Sequence, residues 1–130
     1  MFTRTTNAIK ITVTSSYLEA QSDPQDELYV WSYTILMENQ GDMPVQLISR
    51  YWHITDSSGC VQEVHGDGVV GEQPVLQPGE TYRYTSGVPL RTSSGIMHGT
   101  YQMTSKEGRE FQVEIPAFSL DSPYAMLQPN

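Results

Sequence analysis

The chain has 130 residues and a mass of 14.6 kDa, is 38% hydrophobic with 10% aromatics, and carries a net charge of −8 with a pI near 4.6. A chain of this size buries roughly two-thirds of its unfolded surface, so a core forms without a disulfide or metal staple, and the single cysteine, Cys60, excludes an intrachain disulfide and a thiolate cage. Seven Lys plus Arg, scattered along the chain, give no basic patch for nucleic acid, and the acidic balance disfavours an anionic membrane surface.

One domain over residues 1–130 is the simplest reading. The N-terminal Met-Phe-Thr-Arg-Thr-Thr-Asn lacks the apolar core of a signal peptide, and no apolar run reaches the length of a membrane span. These features point to a cytoplasmic protein with no membrane partner.

Ile9, Ile11 and Val13 alternate with polar residues and predict a strand to about Leu18, followed by a loop over Glu19–Glu27 with Asp23-Pro24. Leu28–Asn39 is the most apolar segment. Tyr29, Trp31, Tyr33, Ile35 and Met37 share one face, while Val30, Thr34 and Leu36 share the other, as in a central strand. After a turn at Gln40–Pro44, Val45–Thr55 predicts a strand with Trp52 as its core plug.

Asp56-Ser57-Ser58-Gly59 has turn chemistry, Cys60–His65 is a short strand, and Gly66–Gly71 is a glycine loop. Val75-Leu76 is a brief extended piece before the Pro78-Gly79-Glu80 turn. Thr81–Thr85 is a strand that continues irregularly over Gly87–Arg91, and Thr92–Gly95 turns the chain again. Ile96–Thr104 and Glu110–Ile115 form a hairpin around Ser105–Arg109. Pro116 is expected to end that strand, and residues 119–130 to form a surface tail. Short strands at regular spacing predict an all-β, antiparallel sandwich of about seven strands.

Gly66, Gly68 and Gly71 have the G-x-G-x-x-G spacing, but a dinucleotide fold needs a helix after it. Gln73-Pro74-Val75-Leu76-Gln77-Pro78-Gly79 cannot start one. Two readings stay open. The glycines are a candidate anion-binding nest of backbone N–H groups, with Asp67 opposing the anion, or they simply permit positive φ and close strand approach.

Glu63 and His65 project from one strand face roughly 7 Å apart, with Asp67 following and His53, Asp56 and His98 elsewhere. Imidazole and carboxylate would suit a borderline divalent ion. The spacings form no tight ligand motif, so no metal ligands and no cofactor are assigned. The serines Ser15, Ser16, Ser57, Ser58, Ser93 and Ser94 cluster at turns and lie in no G-x-S-x-G elbow. Cys60 could pair with a histidine or simply pack. No catalytic residue is assigned, and the expectation is a non-enzyme. Tyrosines left exposed on one sheet would make a protein-binding patch.

The sequence resembles the ApaG family, called CorD in its cobalt-resistance context. The resemblance is carried by Gly66-Asp67-Gly68-Val69-Val70-Gly71-Glu72-Gln73-Pro74, Leu76-Gln77-Pro78-Gly79-Glu80, Tyr84-Thr85-Ser86-Gly87 and Gly95-Ile96-Met97-His98-Gly99-Thr100-Tyr101. Tyr17-Leu18-Glu19-Ala20-Gln21-Ser22, Pro44-Val45-Gln46-Leu47, Arg50-Tyr51-Trp52 and Ile115-Pro116 with Phe118 agree with it. The resemblance implies an immunoglobulin-like or fibronectin-III-like β-sandwich linked to cobalt tolerance and magnesium efflux. Related domains in eukaryotic F-box proteins look like protein-interaction modules. It brings no catalytic residues, and implies a pyrophosphate-binding suggestion that falls on Gly66, Gly68 and Gly71. Two functions follow: an interaction module acting on cation homeostasis through a protein partner, or as a homodimer; or a small-molecule phosphate or nucleotide binder, with or without a divalent ion.

Overall fold

The computed structural model describes residues 1–124. Nine strands run in chain order: β1 (Phe2–Thr6), β2 (Ile9–Tyr17), β3 (Tyr29–Asn39), β4 (Val45–Asp56), β5 (Val61–Asp67), β6 (Val75–Leu76), β7 (Thr81–Leu90), β8 (Gly95–Ser105) and β9 (Glu110–Leu120). Two 3₁₀ turns, Glu19–Gln21 and Pro24–Asp26, bridge β2 and β3. One antiparallel sheet has the order β1-β2-β3-β7; the other has β5-β4-β8-β9, with β6 also on β4. Their facing sides make a β-sandwich, as the alternation predicts.

The core follows from that alternation. Trp31, Tyr33, Ile35 and Met37 of β3 are buried, with Ile9, Ile11 and Val13 beside them on β2, against Trp52 and Ile54 of β4 and Met97, Tyr101 and Met103 of β8. Burying each large side chain contributes roughly 1.5–3 kcal/mol.

Several expectations are corrected. Phe2–Thr6, with one apolar residue in five, is a strand: Asn7 and Ala8 both take positive φ (49° and 65°), the signature of a tight hairpin turn, and fold it onto β2. Together with β6 it brings the count to nine rather than about seven. β7 runs regularly to Leu90, with Val88 and Leu90 buried, because an edge strand tolerates Pro89. β9 passes through Pro116 to Leu120. The register slips between Met97/Phe118 and Gly99/Ile115, so Pro116 sits at a bulge where no ladder N–H is required. Ser119 and Leu120 therefore belong to β9, Ser122 is buried, and residues 125–130 lie outside those described.

β4 holds the bulge that matters most. The register against β8 shifts between Leu47 and Ser49. Val45 and Leu47 point inward before it, and Trp52 and Ile54 point inward after it. At the same place β4 exchanges β6 for β5 as its partner. The glycine loop is the crossing between those two strands.

Candidate functional site

The two long sides of the sandwich end differently. On one, β9 lies against β1 and β2. Phe2 packs on Phe118 (6.4 Å between centroids), and the Glu114 N–H donates to Thr6 Oγ1 at 3.3 Å. Trp31 Nε1 also donates to the Asp121 carbonyl at 2.8 Å. The other side lies between β5 and β7, and the three predicted glycines stand at one end of it.

Each glycine has its own structural cause. Gly66 pairs with Arg50 on β4, and a Cβ there would lie 2.7 Å from Arg50 Nη1; the missing side chain admits the guanidinium. Arg50 then donates to the carbonyls of Gly68 (2.8 Å) and Asp67 (3.2 Å). Gly68 has φ +64°, and a Cβ would meet the Glu72 carbonyl oxygen at 2.3 Å. Val70 and Gly71, at φ 44° and 83°, are the centre of a tight turn closed by Val69 N–H to Glu72 O (2.8 Å) and Glu72 N–H to Val69 O (2.9 Å). The φ of Val70 is a strained one for a β-branched residue.

The Gly68 N–H donates to Ile48 O at 2.8 Å. The amides of Gly68, Val69 and Glu72 thus face carbonyls rather than converging outward, and β6 rather than a helix follows. What the loop delivers is Val69, fully buried in the core. Tyr82 Oη donates to Glu72 Oε2 at 3.1 Å and ties the turn to β7. Just inside, the hydroxyls of Tyr84 on β7 and Tyr101 on β8 bond across the two sheets at 2.6 Å. Burial pushes both phenols upward; for Tyr101 the neighbouring Tyr84 adds to it.

The candidate metal residues spread over the outer face of the second sheet. His53 of β4 and His98 of β8 are register partners with stacked rings, 4.6 Å apart at 23°. Glu63 faces His53 across the other ladder, and the His65 ring lies tilted against Tyr51, 4.7 Å between centroids. Desolvation first, then the Glu63 carboxylate, raises the Tyr51 phenol. Asp56 is turned aside: its Oδ1 accepts from the Ser58 hydroxyl (2.7 Å), the Ser58 N–H (2.9 Å) and the Cys60 N–H (3.0 Å), which hold the carboxyl below its usual range, the Ser58 hydroxyl foremost. Among the described residues no three or more His, Cys, Asp or Glu side chains are grouped to hold a metal ion. Exposed Cys60 places its Sγ 3.6 Å from Ser58 Oγ.

A depression at the β1–β2 turn, about 280 Å³, is lined by Asn39 and Phe111 among others. Asn39 is committed there to structure: its amide donates to the carbonyls of Met43 and Leu76 and accepts from the Gly41 N–H. The Arg50 clamp and the Tyr84–Tyr101 bond are not visible in any local motif. The first depends on strand register, which places Arg50 opposite Gly66; the second depends on how one sheet packs over the other, since Tyr84 lies in the first sheet and Tyr101 in the second.

The geometry therefore defines a β-sandwich scaffold whose glycine loop is a plug. The profile of the ApaG domain matches residues 19–105. Protein ApaG of Agrobacterium fabrum (strain C58 / ATCC 33970) is 56% identical over 126 residues, 97% of each chain. Protein ApaG of Brucella canis (strain ATCC 23365 / NCTC 10854 / RM-666) is 56% identical over 123 residues, 95% of each chain. The crystal structure of an ApaA protein from Bordetella pertussis superposes with a TM-score of 0.86 at 50% identity, covering 88% of this chain and 94% of that one. The chain belongs to the ApaG family.

No helix among the described residues is long and apolar enough to cross a membrane.

Proposed function

We propose that this chain is a non-catalytic, cytoplasmic interaction module that acts on cobalt and magnesium homeostasis through a protein partner. The observation that supports it is the asymmetry of the sandwich: one side is closed by β1 and β9, while β5 on the other is exposed along nearly its whole length. A strand in that position contributes little to the core and is available to another chain. The cation link rests on the family resemblance, and a protein partner is the route this reading gives it, since no three His, Cys, Asp or Glu side chains are grouped to hold a metal among the described residues.

The test titrates cobalt, magnesium and pyrophosphate separately into labelled protein while following the amides of Gly66–Gly71 and of the His53–His98 pair. The expected result is no saturable shift below millimolar concentration, together with altered cobalt tolerance in cells lacking the gene. Saturable pyrophosphate binding at the glycine loop, or unchanged cobalt tolerance, overturns the reading.

A further inference from the structure

Strand β5 overhangs the sandwich. Its inward-facing residues Gln62 and Val64 oppose buried Ile54 and Trp52 on β4, yet both are exposed, Val64 to 37%. The opposite sheet stops at β7 and does not reach beneath them. The result is a lateral groove in which Gln62, Leu90 and Arg91 are shared between two lobes.

The outer edge of β5 is open in a defined pattern. At the two ends of the β4–β5 ladder, Gly68 N–H bonds Ile48 O and Asp56 N–H bonds Cys60 O. The register between them is unbroken, so even-numbered β5 residues bond inward and Val61, Glu63, His65 and Asp67 turn their backbone groups outward. Arg50 covers the Asp67 carbonyl. Val61, Glu63 and His65 make no outward backbone bond among the described residues. A row of such groups is a template for an added strand.

Charge selects the occupant. The groove is rimmed by Asp23, Asp26, Glu27 and Asp56 against Arg91, with exposed Leu28 between them. A second copy would bring net charge −8 against −8, whereas a basic strand would be attracted. We infer that the outer edge of β5 binds an extended basic segment of a partner protein as an added β-strand, its alternate Lys or Arg side chains reaching over the groove toward Asp23, Asp26, Glu27 and Asp56. This deepens the interaction-module reading and rests on it.

The test uses the labelled full chain and a short capped peptide alternating valine and lysine. The expected result is protection and shift of the Val61, Glu63 and His65 amides. Binding should weaken at least about tenfold when alternate peptide nitrogens are methylated, and again when glutamate replaces lysine. Val61→Pro and His65→Pro, which remove only outward N–H groups, should each weaken it, while His65→Ala keeps it. Should either proline variant fail to fold, the methylated peptide decides the question on the native chain. Equal binding of the methylated or glutamate peptide, absence of any shift, or a β5-mediated dimer in free solution overturns the inference. The interaction-module reading stands or falls separately, on the cation and pyrophosphate titrations and on cobalt tolerance.

Discussion

Along the β1/β9 side, Phe2 rests on Phe118, and Phe118 also meets Tyr33 and Trp52 in the core. Along the β5/β7 side, Val69 plugs one end, Tyr84 and Tyr101 join the sheets behind it, and the remainder stays open. Both sides are bounded by the edge strands of the two sheets. The difference lies in whether an edge strand's inward face meets the opposite sheet. β9 does so with Val113, Ile115, Phe118 and Leu120; β5 projects past it. Closure therefore stabilises one side, and the other keeps an edge that can bind.

Truncating one inward-facing residue on each side tells the closed side from the open one. Phe118→Ala removes a side chain only 1% exposed and should cost about 3–5 kcal/mol in urea unfolding. Val64→Ala should fall within about 0.5 kcal/mol, as for a surface change. Equal losses would mean that β5 is as much a part of the core as β9.

The second contrast lies within the glycine loop. Gly68→Ala combines a left-handed backbone with a Cβ 2.3 Å from the Glu72 carbonyl, so it should cost about 2–4 kcal/mol and release Val69 from the core. Gly71→Ala meets open space and carries only the left-handed penalty, about 1 kcal/mol. If the two lose the same stability, the loop is a flexible connection and not a plug.

Much of the fold was legible because alternation dictates which face is buried. Trp31, Tyr33, Ile35 and Met37 were predicted on one face and all are buried. Asp56–Gly59 and Ser105–Arg109 turn where their chemistry says. Legibility failed where one residue changes the phase: at Ile48 the bulge flips β4, so that neither alternating set along Val45–Thr55 is wholly apolar. It failed again at Pro116, since a proline at a bulge looks like a terminator. The glycine spacing was visible but its three causes were not: one glycine admits an arginine from the next strand, one approaches a carbonyl, and one turns a hairpin. The exposed β5 was unreadable for a different reason, because its burial is set by where the other sheet ends.

The tyrosine bond gives the smallest effect and the finest probe of the open side. Tyr84→Phe leaves the Tyr101 hydroxyl buried without its partner and should cost about 1–2 kcal/mol. Tyr84→Phe with Tyr101→Phe removes both polar groups and should recover most of that loss, a coupling read from a double-mutant cycle. The same pair sets an alkaline limit. Burial holds both phenols above their ordinary 10.0 in the folded chain, so unfolding lets them ionise more readily. Their contribution is complete below pH 10.0 and declines as pH rises beyond it. The double phenylalanine variant should show a shallower alkaline decline than the native chain. If instead the two single losses simply add, the sheets are held on this side by apolar packing alone, and the hydroxyl bond is incidental.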